Sequence, residues 1–459
     1  MNILDTIQRA GVVGCGGAGF PTHAKLKPGM EYLIINGAEC EPLLRTDRYI
    51  MKNRAKDVVR AISAVHRELG FGHAVIALKH HYQQEIAALR TAIEEADAQI
   101  AIHELESFYP AGDEQIVVYE VTGRVVPPGG IPAAVGAVVD NVATMLAIAD
   151  AMDGKPFTKK ILTVTGEVRR PTILCVPVGT SYKTCIELAG GALHDRFVLV
   201  NGGPMMGKIL TAEQMEGAVV TKTTSGILVL SQEGYHARTQ AVDLRAMLAR
   251  ARSACIQCSF CSQLCPRHML GHPLEPHRIM RAMATGADVR TLLSDPVVQN
   301  AQLCCECGIC EVYACPMGLF PRQINALIKR EMAAAKMRVQ VPPREWKADP
   351  MRESRKAPSE KVASRAGVRA YNDYRIEQIQ YASPQRVELP LKMHIGAACV
   401  PCIADGSFVR EGEPVALPPD GALGAVIHAS LTGRAAVLPD RIIIEREADG
   451  ALADGLKEK

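Results

Sequence analysis

The sequence predicts a multidomain α/β protein: a parallel-sheet domain, a small β-grasp module, an α-helical cysteine-rich domain and a C-terminal all-β domain. Three observations support this prediction. The 459 residues allow several domains of about 100–200 residues each. Strand and helix patterns alternate over the first 150 residues, and nine of the fifteen cysteines fall between Cys255 and Cys315. The 48% hydrophobic content is ample for buried cores, which excludes a disordered or fibrous protein.

The first domain, expected at residues 1–155, alternates short apolar runs with helical periodicity. Apolar residues recur at helical spacing up to Gly70, which is a typical C-cap. Strand and helix patterns fall in turn at residues 32–35, 58–69, 73–79, 83–95 and 100–105. This βαβαβ order predicts one domain with a mostly parallel sheet.

The sequence pattern changes near Ile161 to short strand runs, and this change defines the second domain, expected at residues 156–240. Strand patterns and one helix, with Thr180 or Ser181 as its N-cap, fall at residues 161–168, 172–178, 182–188 and 197–200. Two strands, a helix and a strand in such a short stretch predict a small β-grasp module.

The remaining chain divides into three parts. Residues 241–335 hold the cysteine-dense region between helical flanks at 241–251 and 324–335. Residues 336–388 are basic and contain several prolines, so we expect a flexible, solvated linker there, with a docking surface for a partner as the alternative. Turn signals between β-type runs predict an all-β sandwich at 389–450.

Charge and hydropathy exclude some classes of partner. Lys plus Arg number 52 against 49 Asp plus Glu, so the balance of +3 does not indicate nucleic acid or an anionic membrane surface. The most apolar stretch, 131–152, is interrupted by Asp140, Asn141 and Asp150 and falls short of a transmembrane segment. The N-terminus has no secretory pattern, so we expect a cytoplasmic protein.

The cysteine spacing carries the strongest chemical signal. The pattern C-x2-C-x2-C-x3-C-P is followed by C-x2-C-x2-C-x4-C-P, and such runs are typical of proteins with two [4Fe–4S] clusters. In these proteins the fourth cysteine of each run binds the other cluster. We therefore expect one cluster on Cys255, Cys258, Cys261 and Cys315, and a second on Cys304, Cys307, Cys310 and Cys265.

Zinc is the alternative, because paired C-x2-C motifs also bind zinc. A zinc site needs two such pairs, whereas this chain has two triplets, each with a trailing Cys-Pro. Cys305 has no place in the spacing, and the extra residue before Cys315 lengthens the second loop.

Residues 14–21 form a glycine-rich loop that contains G-x-G-x-x-G, with Glu39 twenty residues beyond Gly19. This matches a dinucleotide-binding fingerprint on pattern alone, but residues 3–10 are predicted to be helical and only Val12 and Val13 could form the required strand. A plain glycine turn is the alternative. The small residues would allow the backbone to approach a phosphate or a flat ring closely.

The glycine loop and three further blocks, 36–42, 109–114 and 139–144, resemble the NADH-oxidising flavoprotein subunit of respiratory complex I and the RnfC protein of the Rnf complex. Their order and spacing agree with that family. The resemblance implies FMN as cofactor, bound by Gly14, Gly16, Gly17, Gly19, Lys25, Asn36, Glu39, Tyr109, Gly112, Asp113, Glu114, Asn141 and Thr144. It also implies that Glu41 and Phe20 face the nicotinamide of NADH and take part in catalysis.

The chain departs from the complex I pattern at Ala38, Asp113, Asp140 and Leu26. Leu26 stands where that family has an aromatic residue after the lysine, which bears on whether NADH binds directly. The alternative is therefore an electron-transfer subunit that is fed by ferredoxin or flavodoxin, or serves a membrane Rnf-type complex, and performs no corrinoid chemistry itself.

The C-terminal residues 394–430 resemble a barrel-sandwich hybrid domain that lies N-terminal in the RnfC protein. Its position after the clusters is similar to that in the cobalamin reductases of propanediol-utilising microcompartments. This resemblance implies a flavin domain, a β-grasp module, a two-cluster ferredoxin domain and a barrel-sandwich hybrid. It further implies electron flow from NADH through FMN and two [4Fe–4S] clusters to a corrinoid or a corrinoid-processing protein, inside a bacterial microcompartment with its shell and enzymes as partners.

Overall fold

The computed structural model describes residues 2–286 and 288–447, so positions 448–450 of the expected last domain lie outside the described residues. The first domain contains α1 (Ile3–Arg9), α2 (Thr22–Lys25), β1 (Tyr32–Asn36), α3 (Thr46–Asn53), α4 (Ala55–Leu69), β2 (His73–Lys79), α5 (Gln83–Glu95), β3 (Ile100–Leu105), β4 (Phe108–Tyr109), α6 (Glu114–Thr122), β5 (Ala137–Asn141) and α7 (Val142–Met152). Its four-stranded sheet has the order β3-β2-β1-β5, and all pairs are parallel. The parallel α/β prediction is confirmed.

The predicted helical periodicity forms the buried face of α4. Val58, Val59 and Ile62 are fully buried, and Gly70 ends the helix in the left-handed conformation at φ 66. The neighbouring strands β1 and β5 end together, with Asn36 paired in register with Asn141. Ligands of parallel α/β sheets bind beyond the carboxyl ends of the strands, so this edge of the sheet is where a site is expected.

The β-grasp module contains β6 (Lys159–Gly166), β7 (Thr172–Pro177), α8 (Tyr182–Leu188), β8 (Val198–Asn201), β9 (Lys208–Leu210), α9 (Ala212–Glu216) and β10 (Gly226–Leu230). Ser181 is the N-cap of α8, since its side chain accepts the N–H of Thr184. The sheet order is β12-β7-β6-β10-β8-β9, in which β12 (Ile379–Tyr381) comes from a distant part of the chain.

The cysteine-rich region is helical. It contains α10 (Tyr235–Ala241), α11 (Leu244–Ala254), α12 (Phe260–Gln263), α13 (Pro266–Met269), α14 (Pro276–Ala284), α15 (Val289–Leu292), α16 (Pro296–Gln299), a π-helical turn (Ile309–Tyr313) and α17 (Pro321–Ala334). The two flanking helices begin at other residues than expected. Asp243 caps α11 by accepting the N–H of Ala246, and α17 begins at Pro321, whose fixed φ suits the first helical position.

The expectation of a flexible, solvated linker at 336–388 is wrong. This segment forms β11 (Ala357–Pro358), which pairs with β4, and α18 (Ser359–Arg365) before it reaches β12. Val362 is fully buried in an apolar cluster together with Tyr109, Met205 and Cys307, so the segment fills a core shared by three domains.

Two basic residues of this segment pair with acids of the first domain. Arg352 contacts Glu120, and Lys356 Nζ lies 3.0 Å from Glu106 Oε2. These two ion pairs attach the segment to the first domain.

The C-terminal domain contains β13 (Arg386–Pro390), β14 (Val400–Pro401), β15 (Phe408–Val409), β16 (Pro414–Leu417), β17 (Ile427–His428), β18 (Gly433–Val437) and β19 (Arg441–Glu445). These strands form two sheets, ordered β13-β19-β18-β15 and β14-β16-β17, around a separate apolar core. In the described part of the chain, no helix has the length and apolar character needed to cross a membrane.

Three domains meet at one buried lysine. Lys222 of the β-grasp module is 1% exposed, and its Nζ donates to the carbonyls of Gly11 and Val426, each at 2.7 Å. Burial lowers the pKa of Lys222 to about 7, more than the nearby thiols raise it. The contact joins the start of the first domain to the C-terminal sandwich.

Candidate functional site

The glycine loop lies at the junction of three domains. Gly16 and Gly17 are exposed, and among the described residues their backbone N–H groups make no hydrogen bond. Gly17 has φ 107 and Gly19 has φ 69, conformations that favour glycine. The carbonyl of Gly19 accepts the N–H of Ile395 at 2.9 Å, so the C-terminal sandwich supports the loop.

The predicted flavin-binding residues come together at the carboxyl edge of the parallel sheet. The N–H of Cys15 donates to Thr144 Oγ1 at 3.0 Å, which attaches the loop to the start of α7. On the neighbouring strand, Asn36 Nδ2 donates to the carbonyl of Gly112 at 2.8 Å. Asn141 caps α7 by accepting the N–H of Ala143 at 2.9 Å.

Charged groups form a second layer of this edge. Lys25 Nζ lies 2.9 Å from Glu114 Oε1. Burial lowers the pKa of Lys25, but Asp140 and Glu114 outweigh that effect and raise it. Asp140 is 3% exposed, and its Oδ2 has no hydrogen-bond partner among the described residues. The edge therefore offers a fixed cation next to an unsatisfied buried acceptor.

Glu39 begins the loop after β1 with φ 35, an uncommon value for a residue with a side chain. Its two carboxylate oxygens accept the N–H groups of Asp47 and Arg48 at the start of α3. Asp47 in turn accepts from Asn141 Nδ2 at 2.7 Å. Burial raises the pKa of both Glu39 and Asp47, and the charge of Asp47 raises that of Glu39 further.

Glu41 lies at the boundary with the β-grasp module. Its carboxylate accepts the N–H groups of Met205 and Met206 at 2.8 and 2.9 Å, and the hydroxyl of Tyr109 at 3.3 Å. Burial raises the pKa of Glu41 to about 7 despite these donors. The Tyr109 hydroxyl also lies 2.9 Å from the carbonyl of Cys307, so Glu41 is linked to the second cysteine loop.

Phe20, the other residue expected to face the nicotinamide, is half-buried at the end of the glycine loop, where its carbonyl accepts the N–H of Gly14 at 2.9 Å. Leu26 is 2% exposed and packs in the core of the first domain. The aromatic surface that the related family has after the lysine is thus replaced by a buried aliphatic side chain.

These observations are compatible with FMN. Free backbone N–H groups at Gly16 and Gly17 are donors of the kind that bind phosphate. The Cβ of any larger residue at Gly112 would lie 3.1 Å from Cys40 Sγ and 3.5 Å from Asn36 Nδ2, so this loop is closely packed at the sheet edge.

The two cysteine loops repeat one backbone conformation. Gln257 and Ser259 in the first loop, like Glu306 and Gly308 in the second, have left-handed φ values between 57 and 81. In each loop they occupy the residues just before and just after the middle cysteine. Three of these four residues are not glycine, so both loops hold an uncommon conformation at equivalent positions.

The structure groups the eight predicted ligands around two cavities. One is lined by Cys255, Cys258, Cys261 and Cys315. The other is lined by Cys265, Cys304, Cys307 and Cys310. Each set combines three cysteines of one loop with the last cysteine of the other. No three His, Cys, Asp or Glu side chains in residues 2–286 and 288–447 converge on a position for a single metal ion.

The extra residue of the second run lies in the π-helical turn Ile309–Tyr313, at the place where the first run has the short helix α12. A π-turn holds more residues than an α-turn, so it takes up the insertion before Cys315. Cys305 also lines the second cavity, although the spacing assigns it no role.

Two arginines beside the second cavity, one buried and one half-buried, were not predicted from the sequence. Arg267 Nη2 lies 2.9 Å from Asp113 Oδ2, and Arg322 Nη2 lies 2.6 Å from Glu311 Oε1. Asp113, a predicted flavin-binding residue, also caps α6 by accepting the N–H of Gln115 at 3.1 Å. The position of Arg267 directly after Cys-Pro is the signal that could have drawn attention to it.

Family models match four parts of the chain. These are the Nuo51 FMN-binding domain at residues 7–150, the SLBB domain at 161–208, the 4Fe-4S dicluster domain at 254–320 and the RnfC barrel sandwich hybrid domain at 368–450. They confirm the expected fold class, with an FMN-binding domain and an iron–sulfur domain in one chain. The protein is thus a flavo-iron–sulfur electron-transfer protein.

Curated relatives match nearly the whole chain. Cobalamin reductase PduS of Citrobacter freundii is 39% identical over 94% of this chain and 93% of its own length. The PduS of Salmonella typhimurium is 39% identical over 96% of this chain and 95% of its own. A component of the proton-translocating ferredoxin:NAD(+) oxidoreductase complex of Clostridium ljungdahlii is 34% identical, over 58% of this chain and 56% of its own. The chain belongs to the cobalamin reductase PduS family of oxidoreductases.

Proposed function

We propose that this protein oxidises NADH at FMN and passes single electrons through two [4Fe–4S] clusters to a corrinoid. One observation carries the proposal: the Tyr109 hydroxyl reaches both Glu41, in the predicted nicotinamide site, and the carbonyl of Cys307, in the second cysteine loop. The Tyr109 side chain therefore links the candidate hydride-accepting site to a residue that lines one cluster cavity.

The residues proposed to hold FMN are those gathered at the carboxyl edge of the parallel sheet. The N–H groups of Gly16 and Gly17 and the N-terminus of α7 at Asn141 offer hydrogen-bond donors and a positive partial charge, which suit an anionic phosphate. Bound flavin accepts a hydride and releases electrons singly, the conversion that a nicotinamide donor and one-electron clusters require.

Two clusters are proposed in the two cavities, with the exchange of fourth cysteines described above. The second cavity adjoins the first domain through Arg267 and Tyr109. The first cavity lies under exposed apolar side chains, since Ile256 is 60% exposed and Phe260 45% exposed. This arrangement supports electron entry at the second cluster and exit from the first.

Corrinoid as acceptor and the microcompartment as location rest on the relatives named cobalamin reductase. A corrinoid-processing protein, shell proteins or enzymes of the compartment are the proposed partners. A second candidate is an electron-transfer subunit supplied by ferredoxin or flavodoxin. The buried position of Leu26 favours it, because this side chain offers no surface for stacking an adenine ring.

Anaerobic addition of NADH to reconstituted protein separates these candidates. Bleaching of the flavin absorbance supports the first, and unchanged flavin with clusters that dithionite still reduces supports the second. Iron and flavin assays should give about eight iron atoms and one FMN per chain if both clusters are present.

Cysteine variants test the clusters and the acceptor. Cys258→Ser and Cys307→Ser should each lose about half of the bound iron and labile sulfide. Cys402→Ser is the matched control, because Cys402 is exposed in the C-terminal sandwich. Hydroxocobalamin reduction should fall in Cys258→Ser and stay unchanged in Cys402→Ser. Full activity without clusters would show that flavin alone reduces the corrinoid.

A further inference from the structure

Arg267 is a buried cation with incomplete hydrogen bonding. The residue is 8% exposed, and its Nε and Nη1 atoms have no hydrogen-bond partner among the described residues. Only Nη2 has a carboxylate partner, Asp113 Oδ2 at 2.9 Å. An arginine keeps its charge under all ordinary conditions, and buried donors are nearly always satisfied. Burial lowers the pKa of Arg267, but Asp113 and the Cys305 thiol in the same cavity raise it. A thiol is a weak acceptor, so the guanidinium still lacks a strong acceptor for two of its donor atoms.

The position of Arg267 identifies that acceptor. Its side chain lines the second cavity together with Cys265, Cys304, Cys307 and Cys310. The sulfur atoms of an iron–sulfur cluster and of its cysteine ligands accept hydrogen bonds, and such bonds are among the factors that set cluster potential.

The other charged groups near this cavity already have partners of opposite charge. Glu311 pairs with Arg322, and Lys329 pairs with Glu306. Asp113 offsets part of the charge of Arg267 but sits on the side of the first domain, where it caps α6. Of the charged side chains in these pairs, Arg267 is the one that lines the cavity.

We propose that Arg267 is a positioning residue that raises the reduction potential of the cluster bound by Cys265, Cys304, Cys307 and Cys310, and that Asp113 moderates this effect from the flavin domain. The proposal rests on the proposed function, because it requires a cluster in that cavity. One-electron reduction adds one negative charge to the cluster, and a buried positive charge with two free donors stabilises the reduced form.

A purely structural role would give different results. If the ion pair only held two domains together, then replacing either Arg267 or Asp113 would affect stability in the same direction and leave the potential unchanged. An electrostatic role predicts opposite shifts, since one substitution removes a positive charge and the other a negative charge.

The test is a redox titration followed by electron paramagnetic resonance on the full-length reconstituted protein. In Arg267→Gln, the reduced-to-oxidised ratio of one cluster at a fixed ambient potential should fall about tenfold, a downward shift of about 59 mV for a one-electron couple. Arg267→Lys keeps the charge and should retain most of the wild-type potential. Asp113→Asn keeps an acceptor for the α6 cap and should shift the same cluster upward.

Arg278→Gln is the matched control, because Arg278 lies on α14 of the same domain, with its side chain 52% exposed and paired to Glu275. It should leave both potentials unchanged. Unshifted potentials in Arg267→Gln and Asp113→Asn, or shifts of the same sign, would overturn the proposal. If Arg267→Gln loses its iron, the Asp113→Asn titration tests the proposal alone: an upward shift of the cluster potential supports it, and an unchanged potential overturns it. A wild-type protein with fewer than two clusters would instead contradict the proposed function.

Discussion

Replacing Lys222 with methionine should remove a pH dependence of stability from this protein. Lys222 is fully enclosed where the first domain, the β-grasp module and the C-terminal sandwich meet. Its folded pKa of about 7, against an ordinary value of 10.5, means that the folded protein holds the neutral amine over a range where the unfolded chain holds the ammonium. The unfolded state then binds more protons, so stability rises with pH across this range.

The magnitude follows from the linkage relation. Each pH unit between the two pKa values changes the unfolding free energy by about 1.4 kcal/mol, so about 2.7 kcal/mol accumulates between about pH 7.5 and about pH 9.5. Lys222→Met removes this contribution but leaves the carbonyls of Gly11 and Val426 without their donor, at about 1–3 kcal/mol each. The variant should therefore be close to wild type at the lower pH and clearly less stable at the higher one.

Thermal unfolding of both proteins at several pH values in this range is the assay. The gap between their melting temperatures should widen by about 5–10 °C, since each kcal/mol corresponds to about 2–4 °C for a unit of 150–250 residues. The buried thiols of Cys15 and Cys399, whose pKa values are raised, lower stability as the pH rises through this range, but both proteins share this contribution and it cancels from the gap. Burial lowers the pKa of His394 and that of His428 to about 4, so these groups titrate below the range. Parallel curves for the two proteins would refute a neutral buried lysine.

Three further predictions test other parts of the structure. Gly19→Ala should lose bound flavin in a flavin assay, because Gly19 has φ 69 and a Cβ there would lie 2.6 Å from Thr223 Cγ2. Gly154→Ala is the control and should retain bound flavin, since Gly154 has φ 74 but no atom within 4 Å of an added Cβ. Val362→Asp places a charge in a shared core and should make the 336–388 segment sensitive to trypsin, whereas continued resistance would contradict the packing described for α18. Between about pH 4.5 and about pH 7 the folded protein retains a carboxyl proton on Glu41 that the unfolded chain releases, so the stability of wild type should fall by up to about 3 kcal/mol as the pH rises. In Glu41→Gln this fall should be absent. Chemical denaturation of both proteins across this range measures the difference, and equal slopes would disprove the raised pKa.

Local patterns were sufficient to predict the first domain. The apolar positions of α4 and the cap at Gly70 are properties of neighbouring residues, and parallel pairing follows from the alternation of strands and helices. The cysteine spacing likewise predicted two groups of four around two cavities, because the loops are short and the fourth member follows from a known exchange.

Contacts between distant residues were not predictable in this way. The basic 336–388 segment resembles a tether in composition, and only the acids of the first domain, such as Glu120, show that some of its charges are paired. The pairing of Arg267 with Asp113 joins residues 154 positions apart, and no local pattern encodes it. The Glu41 carboxylate similarly depends on N–H groups of the β-grasp module, 164 positions away at Met205.

The contact of Gly19 and Gly11 with the C-terminal sandwich has a consequence for how this architecture can vary. Because the last domain lies against the first residues of the first domain, its place in space does not depend on which end of the chain it is attached to. A gene rearrangement that moved the sandwich ahead of Ile3 could therefore preserve the same neighbours. Circular permutation succeeds where chain ends lie close together on the surface. One spatial arrangement of these domains is thus compatible with the sandwich at either end of the chain.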